Sequence, residues 1–146
     1  MRIKQSICYP IFRAEDVTLD DLFGTAAQIG YAAVELWARG DDFEKVVETA
    51  KKHKLVVASM SGHDSLPDGL NKRSNHDRIE AELRESIDIA AKHGIPGLIC
   101  FSGNRQPFQS DREAIDAVAD GFRRIAPYAE EKGITVLPEF GLDPGI

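Results

Sequence analysis

Cysteine is scarce in this chain of 146 residues: only Cys8 and Cys100 are present, each inside an apolar run. A disulfide framework is excluded, a reducing compartment fits, and each thiol is expected to behave as a small buried hydrophobe. Long apolar runs are missing too. None approaches the roughly 18 residues that a membrane helix needs. The opening MRIKQSICYPIF lacks the apolar core of a signal peptide. No membrane partner and a cytoplasmic location are therefore expected. Positive charge is in deficit, with 18 Lys and Arg against 24 Asp and Glu, a net charge of −6. That excludes the basic face with which non-specific nucleic-acid binders neutralise phosphates. No histidines stand at HxH or HxxxH spacing, which removes a local zinc motif. No GxSxG elbow supports a serine hydrolase.

What is present is a repeat. Short, apolar, β-branched stretches lie at residues 3–9, 32–37, 55–60, 97–101 and 134–140 and read as buried parallel strands. Helical periodicity fills the intervals. The first helix is expected to start at Thr18, with Asp21 completing a capping box, and to stop at Gly30. The second spans about 41–54, with a Glu48–Lys52 pair on its outer face. The third spans about 75–93, with Ile79, Leu83, Ile87 and Ala90 at 3–4 spacing. The fourth follows Ser110, turns Ile115, Val118, Phe122, Ile125 and Ala129 inward, and closes at Gly133, with Pro127 in its last turns. Gly30, Gly94 and Gly133 each separate a helix from the next strand, where a left-handed residue is wanted, whereas the junction at Lys54 has no glycine.

Strict alternation of strand and helix implies an α/β fold with parallel strands and right-handed crossovers. Two architectures share that pattern: an open doubly wound sheet and part of a (β/α)8 barrel. The first usually carries a glycine-rich phosphate loop after its first strand. Here Tyr9 is followed by PIFRAEDVTLDD, without a glycine, and GxxxxGK[ST] occurs nowhere. A complete barrel takes about 250 residues. The expectation is one incomplete domain over residues 1–146, holding about four and a half βα units.

In either architecture the site forms at the strand C-terminal ends. Those places offer Tyr9, Glu35, Trp37, His63, Asn104 and Glu139. Glu139, in ITVLPEF, is a carboxylate in an apolar strand, readable as a metal ligand or general base, or as a solvated or paired strand end. Glu35, in YAAVELW, is a second one, readable also as a structural ion pair. Trp37 falls on the same strand face and suits either a sugar-sized pocket or plain packing. His63 opens a long polar loop running to Asn75, a length typical of binding loops, and is read as a substrate or ligand histidine. Arg105, beside Asn104, could meet an anionic substrate group or face water. His53 and His93 close helices and are read as structural, and His76 is left open.

The stretches SICYPIF, IGYAAVELW, VVASMSGH, SLPDGLNKRSNHDRIEAELRESIDIAAKHGIPGLICFSGNR and APYAEEKGITVLPEF together resemble the xylose-isomerase-like TIM-barrel proteins. Within them the chain is most similar to the hydroxypyruvate-isomerase type of sugar isomerases and epimerases. The resemblance implies a barrel that holds a divalent cation, Mg or Mn. Two glutamates, from strands five and eight, move a proton between adjacent carbons of a sugar or hydroxy-keto acid. Glu139 matches the strand-five glutamate, as base and metal ligand, and His63 and Glu35 match pocket-lining positions. After Glu139 only FGLDPGI follows, so partners for the remaining ligands are not found in this sequence. A single copy is therefore expected to be inactive and to self-associate over its open face. A non-catalytic half-barrel that binds or assembles is the competing expectation.

Overall fold

Five strands alternate with helices in a computed structural model that describes residues 3–140. The order is β1 (Ser6–Cys8), α1 (Tyr9–Phe12), α2 (Leu19–Ile29), β2 (Ala33–Glu35), α3 (Phe43–Lys52), β3 (Val56–Ser61), α4 (His76–His93), β4 (Gly97–Phe101), α5 (Asp111–Lys132) and β5 (Thr135–Glu139). A short 3-10 turn, Arg73–Asn75, leads into α4. Every neighbouring pair of strands is parallel, and the spatial order is β1-β2-β3-β4-β5. A doubly wound sheet reverses its order at a switch point. No reversal occurs here, so the sheet is a partial TIM barrel. None of the described helices is long and apolar enough to cross a membrane.

Local chemistry sets the helix boundaries. The Thr18 and Ser110 side chains accept the amides of Asp21 and Glu113, and the Glu113 carboxylate returns a bond to the Ser110 amide. Gly30, Gly94 and Gly133 all end helices in the left-handed conformation, with φ of 105°, 72° and 69°. At the glycine-free junction Lys54 itself takes a φ of 60°. The helix pair expected of Lys52 is replaced by a bond to Asp20 of α2, at 2.6 Å.

The helices pack on one face of the sheet. Val34, Met60, Leu98 and Ile87 are fully buried there, with Phe23 and Ile125. Three expectations are corrected. β1 is shorter than 3–9, because Pro10 opens the single-turn helix α1 at Tyr9. Ile115 is 58% exposed, since α5 buries the stripe Ala117, Val118, Gly121, Ile125 and Ala129 instead. The loop after β3 is not all polar surface: Leu70 is buried against Gly121, where a Cβ would meet its Cδ2 at 2.7 Å.

Candidate active site

On the opposite sheet face the ladder sets Cys8 against Glu35, Ser61 against Ile99, and Phe101 against Glu139. The pleat points these alternate residues away from the helices. Their strand-end neighbours close a cleft of about 490 Å³, whose walls include Glu35, Trp37, His63, Phe101 and Glu139. Four of the residues singled out from sequence thus meet in one place.

Glu139 is exposed, in contrast to the buried carboxylate that its apolar surroundings suggest. β5 is the edge strand of the described sheet, which also explains how Pro138 is tolerated there. Among the described residues the Glu139 carboxylate has no ion-pair partner, while its backbone carbonyl accepts the Ser102 amide at 2.9 Å. Glu35 is half-buried and accepts a hydrogen bond from the Ser6 hydroxyl. Trp37 is 55% exposed at the rim. Cys8, expected as a small buried hydrophobe, is only partly buried and lines the same cleft; its thiol is pushed up by burial and then by the Glu35 charge, with Glu139 adding in the same direction. Both carboxylates therefore act on one locality.

His63 is buried, with 3% of its surface exposed. β3 ends at Ser61, and Gly62 turns the chain with its amide on the Ile99 carbonyl at 2.7 Å. A Cβ at Gly62 would lie 2.6 Å from Leu83 Cδ2 and 3.2 Å from that carbonyl, so a side chain there would force Leu83 to move. The turn brings His63 Nε2 to 2.9 Å from the Phe101 amide, which donates to it. The two rings meet edge to face at 5.3 Å. Burial holds the His63 pKa below its ordinary value, against the opposing pull of Glu82. Nδ1 has no hydrogen-bond partner among the described residues.

Asn104 and Arg105 do not join this cleft. They line a neighbouring cavity of about 320 Å³ with Asn71 and Phe140. Arg105 pairs with Asp111 at 2.6 Å. The Asn104 carbonyl accepts from Asn71 Nδ2 at 2.7 Å. Tyr9 packs edge to face on Phe23 in the core. His76 is buried, with Nε2 2.9 Å from the Leu70 carbonyl oxygen, while His53 and His93 sit at helix ends beside Asp20 and Glu44.

Among the described residues no three His, Cys, Asp or Glu side chains converge to hold a metal ion. Within the cleft His63 Nε2 is occupied by an amide and Glu35 by a hydroxyl. The cleft is lined by the carboxylates of Glu35, Asp64 and Glu139, but these do not converge on one point, so the described donor set does not by itself fit a divalent cation.

Residues 23–145 match the family described as xylose isomerase-like TIM barrel. None of the curated proteins matches the chain in sequence. Solved structures do match. A D-psicose 3-epimerase determined in the presence of D-fructose is 16% identical, with a TM-score of 0.69 over 92% of this chain and 51% of that one. A sugar phosphate isomerase/epimerase from Parabacteroides distasonis is 14% identical, with a TM-score of 0.69 over 94% and 51%. A D-psicose 3-epimerase with D-tagatose from Clostridium cellulolyticum is 12% identical, with a TM-score of 0.69 over 92% and 51%. At these identities the likeness is one of fold. The chain spans about half the length of the structures it matches.

Proposed function

This chain belongs to the xylose isomerase-like TIM barrel family, and from that membership we propose that its strand-end cleft is the β1–β5 part of a sugar isomerase or epimerase site. The observation that carries the reading is the meeting of Glu139, Glu35, Trp37 and His63 around one cleft of sugar-binding size. Exposed Trp37 offers an apolar wall for a sugar ring or chain. Glu35 and the Ser6 hydroxyl offer polar contacts to hydroxyl groups. In the adjacent cavity Asn104 and Arg105 would contact the far end of a longer or anionic substrate.

Glu139 is the proposed general base. A carboxylate in reach of a carbon between a hydroxyl and a carbonyl takes its proton, leaving an enediolate. Returning the proton to the neighbouring carbon completes an aldose–ketose type isomerisation. Returning it to the opposite face of the same carbon completes an epimerisation. A hydroxy-keto acid of the hydroxypyruvate type undergoes the same step. In a complete site a divalent cation would stabilise that enediolate, but the described residues do not provide its ligand set and no step here depends on it.

Residues 1–146 are proposed to form one domain that associates with a second copy. Val56 and Leu137, 53% and 42% exposed on the inner sheet face, supply an apolar surface for that contact. Two free thiols suit the cytoplasm. Titration of the protein with a ketohexose and with hydroxypyruvate, followed by isotope exchange of the substrate's α-proton, tests the reading. Binding with exchange that is lost in Glu139→Gln supports it. Binding without exchange favours a non-catalytic binding module.

A further inference from the structure

In a parallel sheet each strand turns its amides and carbonyls alternately to its two neighbours. On β4, the Ile99 carbonyl is bound by Gly62 on the β3 side, and Ser102 donates to Glu139 on the β5 side. The Phe101 amide therefore points toward β3. There is no β3 carbonyl to receive it, because β3 ends at Ser61 and the chain turns at Gly62. His63 Nε2 takes that place, at 2.9 Å. The Phe101 carbonyl is held in turn by the Leu70 amide, at 3.2 Å.

The turn that carries His63 is itself fixed from behind. Ser86, buried on α4, donates through Oγ to the Gly62 carbonyl at 2.7 Å. Arg39 Nη1 donates to the same Ser86 Oγ at 2.5 Å. Residues from the β2 loop and α4 thus fix the turn that carries His63. Because a protonated imidazole has no acceptor nitrogen, accepting the Phe101 amide requires the neutral ring with its proton on Nδ1.

We infer that His63 is a positioning residue: its neutral imidazole replaces the missing β3 carbonyl, holds the end of β4 at Phe101, and through the β4–β5 ladder sets the place of Glu139. The coupling path is short. Phe101 is the ladder partner of Glu139, and the next amide, Ser102, is bonded to the Glu139 carbonyl. Ser86 and Arg39 support this role by fixing Gly62. In this assignment His63 does not coordinate a cation through Nε2, which is already engaged. The functional consequence rests on the sugar-site reading of Glu139. The main-chain coupling does not.

The test compares the wild type with His63→Phe, which keeps a ring but removes the acceptor, and His63→Gln, whose Oε1 stands where Nε2 stood. Amide hydrogen exchange at Phe101 and Ser102 is followed by NMR, and ketohexose affinity is measured on the same proteins. Imidazole nitrogen shifts of the wild type give the tautomer without any substitution. Expected results are an Nδ1-protonated neutral ring at pH 7.5 and roughly fivefold faster exchange at Phe101 and Ser102 in His63→Phe, with Leu98 unchanged. His63→Gln restores most of the protection, and ketohexose affinity falls in His63→Phe and recovers in His63→Gln. An Nε2-protonated ring in the wild type, or unchanged exchange in His63→Phe, overturns the inference. Faster exchange at Phe101 together with ketohexose binding that ignores both His63→Phe and Glu139→Gln upholds the main-chain coupling and overturns the sugar-site reading instead.

Discussion

Cys8 stands opposite Glu35 across the β1–β2 ladder, and the charge of that carboxylate adds to burial in holding the thiol above its ordinary pKa. Thiolate is the reactive form, so Cys8 should label slowly at pH 8 in the folded protein. Glu35→Gln removes the larger of the two charge contributions and should speed labelling by about threefold. Cys100 is buried, and its pKa is pushed up to about 12. It should react only after denaturation. Mass spectrometry of thiol-labelled native and unfolded protein checks both expectations.

Gly69 lets the loop after β3 lie directly on the end of β4. A Cβ there would clash with backbone atoms of Phe101, Ser102 and Gly103, none of which can swing aside. Gly69→Ala should cost about 3 kcal/mol and disturb the strand-end cleft. The atoms nearest a Gly121→Ala methyl belong to the Leu70 side chain, which can shift, and the change should cost about 1–2 kcal/mol. Urea denaturation of the two variants gives the order.

Ser110 and Glu113 form a reciprocal cap at the start of α5, and interaction with Ser110 holds the Glu113 carboxyl below the ordinary range. Ser110→Ala should lower stability by about 1 kcal/mol. Because the cap lies at the exposed helix start, cleft properties should not change. Thermal melting together with ligand titration separates the two effects.

The depressed pKa of His63 makes stability depend on pH. Burial lowers it below the ordinary histidine value of about 6.5, so the unfolded chain binds a proton that the folded chain refuses. This contribution is complete above about pH 6.5 and is lost as pH falls through the folded pKa. His63→Gln should flatten that part of the stability–pH curve, as read by denaturant titration between pH 5 and 8.

The strand and helix order was legible because each element carries its own punctuation. Gly30, Gly94 and Gly133 mark helix ends, and Thr18 and Ser110 mark starts, all through local backbone chemistry. Where a glycine was missing, Lys54 adopted the same left-handed geometry, so the junction survived the exception. Alternation alone fits either architecture, but the missing glycine-rich loop and the family resemblance pointed to the partial barrel that the strand order shows. Within the site, Glu35, Trp37, His63 and Glu139 stood out as chemistry at strand ends. Ser86 did not, because a serine in the apolar stripe of α4 looks like a tolerated small residue until Gly62 and Arg39 are brought to it. Cys8 was hidden for a similar reason: its neighbours Glu35 and Glu139 lie 27 and 131 positions away and meet it only through the sheet. Asn104 and Arg105 were sound as strand-end residues, yet the β4–α5 loop carries them into a separate cavity.

The central claim is that the cleft around Glu139 receives a sugar or hydroxy-keto substrate. Isothermal titration of the wild type and Glu139→Gln with a ketohexose tests it most directly. Glu139 is exposed and lacks an ion-pair partner among the described residues, so its replacement should leave the melting temperature unchanged. Binding by the wild type that weakens at least tenfold, about 1.4 kcal/mol, in an equally stable Glu139→Gln is the predicted result. Equal affinity in the two proteins, or no binding by either, would contradict the account.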